Sequence, residues 1–128
     1  MQINSAKDLI VYQKAYDLAM EIVAVSKSFP VEEKYSLTDQ IRRSSRSVCA
    51  NLSEAWAKRK YEAHFVSKLT DADAENAETS TWLDFSHACN YLPEKDHMIL
   101  TEQCREVGAI LGAMINRPTS FVLNSTER

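Results

Sequence analysis

Apolar positions recur at steps of three and four along nearly the whole chain, the period of amphipathic helices and not the alternation of strands. Leu9, Tyr12, Tyr16, Ala19, Met20 and Val23 form the first such stripe. It opens at Ser5, where the hydroxyl and Asp8 three residues on read as a capping box. It stops at Phe29-Pro30, because proline lacks an amide donor and disfavours helix in the residue before it. A second start signal, Ser36-Leu37-Thr38-Asp39, leads into Leu37, Ile41, Ser45, Val48, Leu52 and Trp56 and predicts a helix to about Arg59. From Tyr61 or Glu62 a third stripe runs through Phe65, Leu69, Ala72, Asn76, Thr79, Trp82, Ser86 and Cys89. Its centre is small and polar, which sets Asn76 and Thr79 in an interhelical seam, where polar groups fix register at some cost in stability. Pro93 fits a first helical position, and Met98, Leu100, Cys104, Val107, Leu111, Met114 and Ile115 continue to a stop at Pro118.

The predicted helices thus span residues 5–29, 36–59, 61–90 and 93–117, with a tail at 118–128. Short connections between long helices favour antiparallel neighbours, so the expected fold is all-α, an up-down-up-down four-helix bundle forming one domain over residues 1–128. The break at Lys58-Arg59-Lys60 holds neither Gly nor Pro, and one long bent helix there stays open. Gly108 and Gly112, inside the fourth pattern, read as places where helices approach closely. Phe121, Val122 and Leu123 in the tail are expected to dock on the bundle or a neighbour before the chain frays in its last residues.

Composition narrows this picture. Two glycines and three prolines in 128 residues leave little turn chemistry for a sandwich or barrel. The start, MQINSAKDLI, has no secretory leader pattern, and the apolar run Val107–Asn116 is about half of the roughly 20 residues a bilayer requires. A cytoplasmic location without a membrane span is the expectation. Cys49, Cys89 and Cys104 are odd in number and widely spaced, and read as buried thiols acting as small hydrophobes.

The net charge of −3 hides a segregation. Residues 40–61 carry six basic side chains and one acid, whereas residues 62–106 carry three and ten. The basic group, Arg42, Arg43, Arg46, Lys58, Arg59 and Lys60, is a candidate phosphate-binding surface, with Tyr61 available for stacking. A competing reading comes from topology. A second helix folded back on the third around residue 60 sets Arg42 and Arg43 near Asn76 and Glu78, and Arg46 near Asp73, so Asp73, Glu75 and Glu78 are candidate structural partners for the arginines. Lys58, Arg59 and Lys60 have no such acids opposite them. Asn51 and Glu54, one turn apart, are candidate register-setting or interface groups, with Arg42 to Arg46 or Arg59 as their prospective partners.

Catalytic constellations are weak. Glu94-x-x-His97 and the looser Asp84-x-x-His87 have the spacing of a bundle metal site, but both lie beside a turn and lack inward carboxylates from the other two helices. Cys49 and His64 pair only on paper. No Walker loop, HExxH or nucleophile elbow is present. The expectation is a non-enzyme with no metal and no cofactor.

Three blocks carry a family resemblance: Asp8-Leu9-Ile10-Val11-Tyr12-Gln13-Lys14-Ala15; Tyr35-Ser36-Leu37-Thr38-Asp39-Gln40-Ile41-Arg42-Arg43-Ser44; and Asn51-Leu52-Ser53-Glu54-Ala55. With Phe29-Pro30 and Glu33 between the first two, their order resembles the four-helix bundle proteins encoded in intervening sequences of bacterial large-subunit ribosomal RNA genes. The stretch Ala72–Phe85 is similar to a subgroup of them, and the likeness extends over residues 7–116. Ala55 departs from the Gly that many members carry there. The resemblance implies a homo-oligomer, often a pentameric ring, with no established reaction. It also implies kinship with accessory proteins of diversity-generating retroelements, which bind nucleic acid and a reverse transcriptase through a positively charged surface. Two functions are therefore expected to compete: RNA or DNA binding (or binding of a nucleic-acid-processing partner) through the six cations, and a protein-interaction scaffold whose charges serve packing.

Overall fold

Four helices carry the chain: α1 (Ile10–Ser26), α2 (Leu37–Ala57), α3 (Glu62–Ala88) and α4 (Glu94–Asn116). The computed structural model describes residues 2–122. Each helix packs on its sequence neighbours and α1 closes the bundle against α4. Cross-links between α2 and α3 rise along one helix as they fall along the other: Arg43 meets Glu75 and Glu78, Ser44 meets Thr79, and Glu54 meets Lys68. Asn76–Cys104 and Asp84–His97 follow the same rule between α3 and α4. The pairs fit the expected up-down-up-down course.

The helix ends differ from expectation in instructive ways. Asp8 does accept the amides of Asn4 and Ser5, at 2.8 and 3.2 Å, but it closes only a 3-10 turn, Ala6–Asp8. Leu9 is extended (ψ 134°), so α1 starts at Ile10 and not at Ser5. Ser36 does not use Asp39. Its hydroxyl turns back to Glu33 at 2.5 Å, and the same carboxylate receives the Leu37 amide at 3.3 Å. Glu33 therefore caps α2 from the preceding turn. Tyr61 is extended (φ −117°, ψ 115°), which separates α2 from α3 and removes the single bent helix. Asn90 takes a left-handed φ of 61°, a conformation its short amide tolerates, and so ends α3. Pro93 precedes α4 as its cap, one position earlier than predicted.

Burial corrects the stripes. On α1 the inward residues are Val11, Ala15, Leu18, Ala19 and Ile22, while Tyr16 (52% exposed) and Met20 (54%) face outward. Both sides of α1 are apolar, so periodicity alone did not select between them. Ala55 and Leu83 are buried where Trp56 and Trp82 were expected, the indoles being only half-buried, and Met98 is exposed. Cys104 is buried and Cys49 half-buried, but Cys89 is exposed at the end of α3, contrary to the expected core thiol.

The core divides in two. One apolar cluster centres on Val48, Leu52, Phe65, Leu69, Val107 and Leu111, the other on Ile22, Ile41, Leu83, Leu92 and Leu100. Between them along α2 and α3 lies a polar layer. Ser44 and Thr79, both fully buried, share a 2.8 Å hydrogen bond, and Asn76 donates its amide to the Cys104 carbonyl at 2.9 Å. A Cβ on Gly108 would stand 3.3 Å from that amide, so Gly108 does mark a close approach. Gly112 does not, having open space around it. In the tail, Phe121 stacks on Phe65 with centroids 6.2 Å apart, and Val122 joins the same cluster. Leu123 and the residues after it lie outside the described ones.

Glu33 also accepts the Tyr91 hydroxyl at 3.0 Å, tying the α1–α2 connection to the α3–α4 turn. The Ser36 hydroxyl, with Tyr91 and the Leu37 amide, holds the Glu33 carboxyl below its ordinary 4.5. A depressed carboxyl stabilises the fold above its unfolded value and loses that contribution as pH falls through the folded one. Denaturant midpoints measured from pH 6 down to pH 3 are expected to fall less steeply in Glu33→Gln than in the native protein; parallel curves would count against this linkage.

Candidate nucleic-acid interface

α2 presents Arg42 and Arg43 side by side and Arg46 one turn later, and the antiparallel α3 treats each differently. Arg43 forks onto two carboxylates, Glu75 at 2.8 Å and Glu78 at short range, while its Nε reaches Gln40 at 3.1 Å. The second carboxylate is held from behind by the Trp82 indole N–H at 3.1 Å. Desolvation opposes the Arg43 charge, but the two carboxylates outweigh it and raise the guanidinium pKa. Glu75 and Glu78 are thus structural partners, as expected, and Arg43 is committed to them.

Arg42 and Arg46 are not. Arg42 sends its Nε to the Ser26 hydroxyl at 2.8 Å, joining the end of α1 to α2, and is half-buried. Arg46 is exposed. Among the described residues, no carboxylate lies within ion-pair distance of either. The expected Arg46–Asp73 pair does not form because Asp73 turns toward α4, where its Oδ1 is 4.0 Å from the Cβ position of Gly108.

Asn51 and Glu54 take partners other than those anticipated. The Asn51 amide donates to the Ser47 carbonyl of its own helix at 2.9 Å, and the exposed Glu54 meets Lys68 across the seam at 3.2 Å. Glu54, chiefly through its hydrogen bond, raises the Lys68 pKa, with Asp71 adding to it. Arg59 was the wrong candidate because the turn carries it away from Glu54. Its guanidinium lies 4.0 Å over the Trp56 ring and donates to the Trp56 carbonyl at 2.8 Å. Lys60 stands 5.6 Å from the centroid of Tyr61, itself 57% exposed, and Lys58 is exposed beside them. The α2–α3 turn therefore sets three consecutive cations between two aromatic faces, the combination that neutralises phosphates and stacks bases.

Sequence reasoning missed the other half of the surface. Lys34, Tyr35 and Thr38 join Arg42 and Arg46 around an open cleft of 540 Å³ at the start of α2. The signal was present: Lys34, Thr38, Arg42 and Arg46 recur at four-residue steps, the spacing of one helical stripe. Thr38 was read only as part of a helix start.

Catalytic readings gain nothing from the geometry. Cys49 points to the Tyr12 carbonyl at 3.9 Å, and burial pushes its thiol up to about 11, away from thiolate nucleophilicity. His64 packs on Tyr61 instead. Asp84 meets His97 Nε2 at 2.8 Å, with the His87 ring stacked 4.4 Å from that of His97, but these residues clasp the α3–α4 turn. Among the described residues no group of three or more His, Cys, Asp or Glu side chains is placed to hold a metal, and no helix is long and apolar enough to cross a membrane.

The family of 23S rRNA-intervening sequence proteins matches residues 7–113, most of the four-helix body. The chain belongs to that family. Its fold is similar to the crystal structure of a protein of unknown function from the S23 ribosomal protein family of Bacteroides thetaiotaomicron. The two share 30% identity at a TM-score of 0.78, over 86% of this chain and 98% of that one. No curated protein matches. In this intervening-sequence protein the +5 segment and the acidic helix beside it cancel only in part.

That uneven pairing has a measurable consequence for stability. Arg43→Ala is expected to cost about 0.5–1 kcal/mol, the scale of a half-exposed ion pair after solvent screening. Arg46→Ala should stay within about 0.5 kcal/mol of the native protein. Urea midpoints check both; an Arg46 variant as destabilised as the Arg43 variant would show that α3 holds Arg46 as well.

Proposed function

We propose that this intervening-sequence protein is a non-enzymatic, self-assembling helical bundle that binds RNA or DNA, directly or alongside a nucleic-acid-processing enzyme, in the cytoplasm. The observation that carries this reading is the set of α2 cations without carboxylate partners among the described residues. Arg42 and Arg46 stand in the first half of that helix, and Lys58, Arg59 and Lys60, flanked by Trp56 and Tyr61, just past its end. Binding works by phosphate neutralisation with stacking on the turn aromatics, and base edges contribute little because no helix is set to enter a groove. The family's link to ribosomal RNA intervening sequences agrees with a nucleic-acid partner.

A specific observation also favours the scaffold reading. Tyr12, Tyr16 and Met20 form a stripe at four-residue steps on α1, with Tyr16 and Met20 more than half exposed and the two tyrosine rings 6.4 Å apart. This stripe supplies the subunit contact of the proposed homo-oligomer, a pentameric ring on the family resemblance. Self-assembly and nucleic-acid binding then use opposite resources, the apolar outer face of α1 and the cations of α2.

Fluorescence anisotropy with a mixed RNA and DNA oligonucleotide pool tests the leading reading. Raising salt from 50 to 200 mM should weaken binding at least tenfold. The Lys58→Gln/Arg59→Gln/Lys60→Gln variant should bind more weakly still, with its helical circular dichroism and its oligomer mass unchanged. Binding that is undetectable, or indifferent to salt, would contradict nucleic-acid binding and leave the scaffold.

A further inference from the structure

We infer that the cleft at the start of α2 is a site for a phosphomonoester, and that it holds the phosphorylated end of a single nucleic-acid strand. The identity of the ligand rests on the nucleic-acid reading above; the phosphate chemistry of the site does not.

The cleft is built for an anion by converging donors. Lys34, Arg42 and Arg46 line it, and among the described residues only Arg43 of the four cations on its wall is committed to carboxylates. Arg42 is oriented by its Nε–Ser26 hydrogen bond, which leaves its terminal guanidinium nitrogens available. Asp39 is the one acid on the wall, against three uncommitted cations.

A second, independent observation points the same way. Thr38 is 7% exposed, lines both this cleft and the adjoining groove, and its Oγ1 has no hydrogen-bond partner among the described residues. A buried hydroxyl left unpaired carries a desolvation cost that folding does not recover. Rotation of the Thr38 side chain toward the cleft would let an oxygen-rich ligand remove that cost.

The donor set favours a strand end over an internal phosphodiester. A phosphomonoester carries close to two negative charges and three free oxygens, where a diester carries one charge and two. Three cations and a hydroxyl are matched to the former. Tyr35, 85% exposed at the rim, offers its ring to the terminal base, and the cleft volume of 540 Å³ admits one nucleotide.

The test compares three otherwise identical single-stranded oligonucleotides, bearing a 5′-phosphate, a 3′-phosphate or neither, by competition against the native protein. One phosphorylated end is expected to bind at least tenfold more tightly than the unphosphorylated strand. Thr38→Val, which removes only the orphaned hydroxyl and should leave the melting temperature unchanged or higher, is expected to cut that preference by three- to tenfold, as is Arg46→Gln. A hydroxyl with a purely structural role would leave the preference intact. Equal affinity for all three strands, or a preference untouched in both variants, overturns the inference while the nucleic-acid reading survives. Inorganic phosphate and a nucleoside monophosphate, titrated separately by NMR, cover the opposite case. If no strand binds but these ligands shift the Thr38 and Arg42 resonances, the phosphate site stands with a free phosphate as its ligand. Unmoved resonances at millimolar phosphate overturn it.

Discussion

The seam between α2 and α3 governs the rest of the molecule. At mid-bundle the apolar core gives way to Ser44, Thr79 and Asn76; the two hydroxyls also bond carbonyls of their own helices, but the Ser44–Thr79 and Asn76–Cys104 bonds form in one register only. Sliding α3 by a single turn would break the first and strand the Asn76 amide. The surface repeats the constraint: Arg43 reaches Glu75 and Glu78 together in the same register that joins Ser44 to Thr79. Individually these are weak interactions, since a surface pair contributes about 0–1 kcal/mol and a neutral hydrogen bond about 1. Their value lies in agreeing with one another.

That register also decides which charges are left over. An antiparallel helix offers a carboxylate to one side of its neighbour and not to the other, so adjacent arginines on α2 meet different fates. Arg43 faces α3, Arg42 turns to Ser26 and the cleft, and Arg46 stays in solvent. The acidic helix therefore shapes the basic surface without erasing it. A chain with a net charge of −3 can keep two cationic regions about one helix apart, one concave at the start of α2 and one aromatic at its end.

Much of this was legible in the sequence, and the failures have physical causes. The four helices, the Asn76–Thr79 seam, the Glu75 and Glu78 partners and the role of Gly108 follow from periodicity and from folding the chain back near residue 60. The inward face of α1 did not, because Val11, Ala15, Leu18 and Ile22 compete with an equally apolar stripe of Tyr12, Tyr16 and Met20, of which tertiary packing half-buries Tyr12 and leaves Tyr16 and Met20 outside. Capping failed locally: Ser36-x-x-Asp39 has the right spacing, but Glu33 comes from the preceding turn and wins the Leu37 amide. Glu54 was matched to the wrong cation because Arg59 lies in the turn beyond the end of α2, whereas Lys68 stands opposite Glu54 in the antiparallel register. The cleft was overlooked because Lys34 precedes the helix, although its four-residue spacing to Thr38, Arg42 and Arg46 was visible.

The fold commits Arg43 to carboxylates and, on the proposed reading, leaves Arg46 for phosphate. The most direct test of that division is the slope of log K against log salt for oligonucleotide binding, measured in parallel for the native protein, Arg43→Gln and Arg46→Gln. Each phosphate contact released lowers the slope by about 0.7 for a single strand. That loss is expected in Arg46→Gln and a native slope in Arg43→Gln; a lowered slope in Arg43→Gln with no change in Arg46→Gln would overturn the proposed division of the arginines.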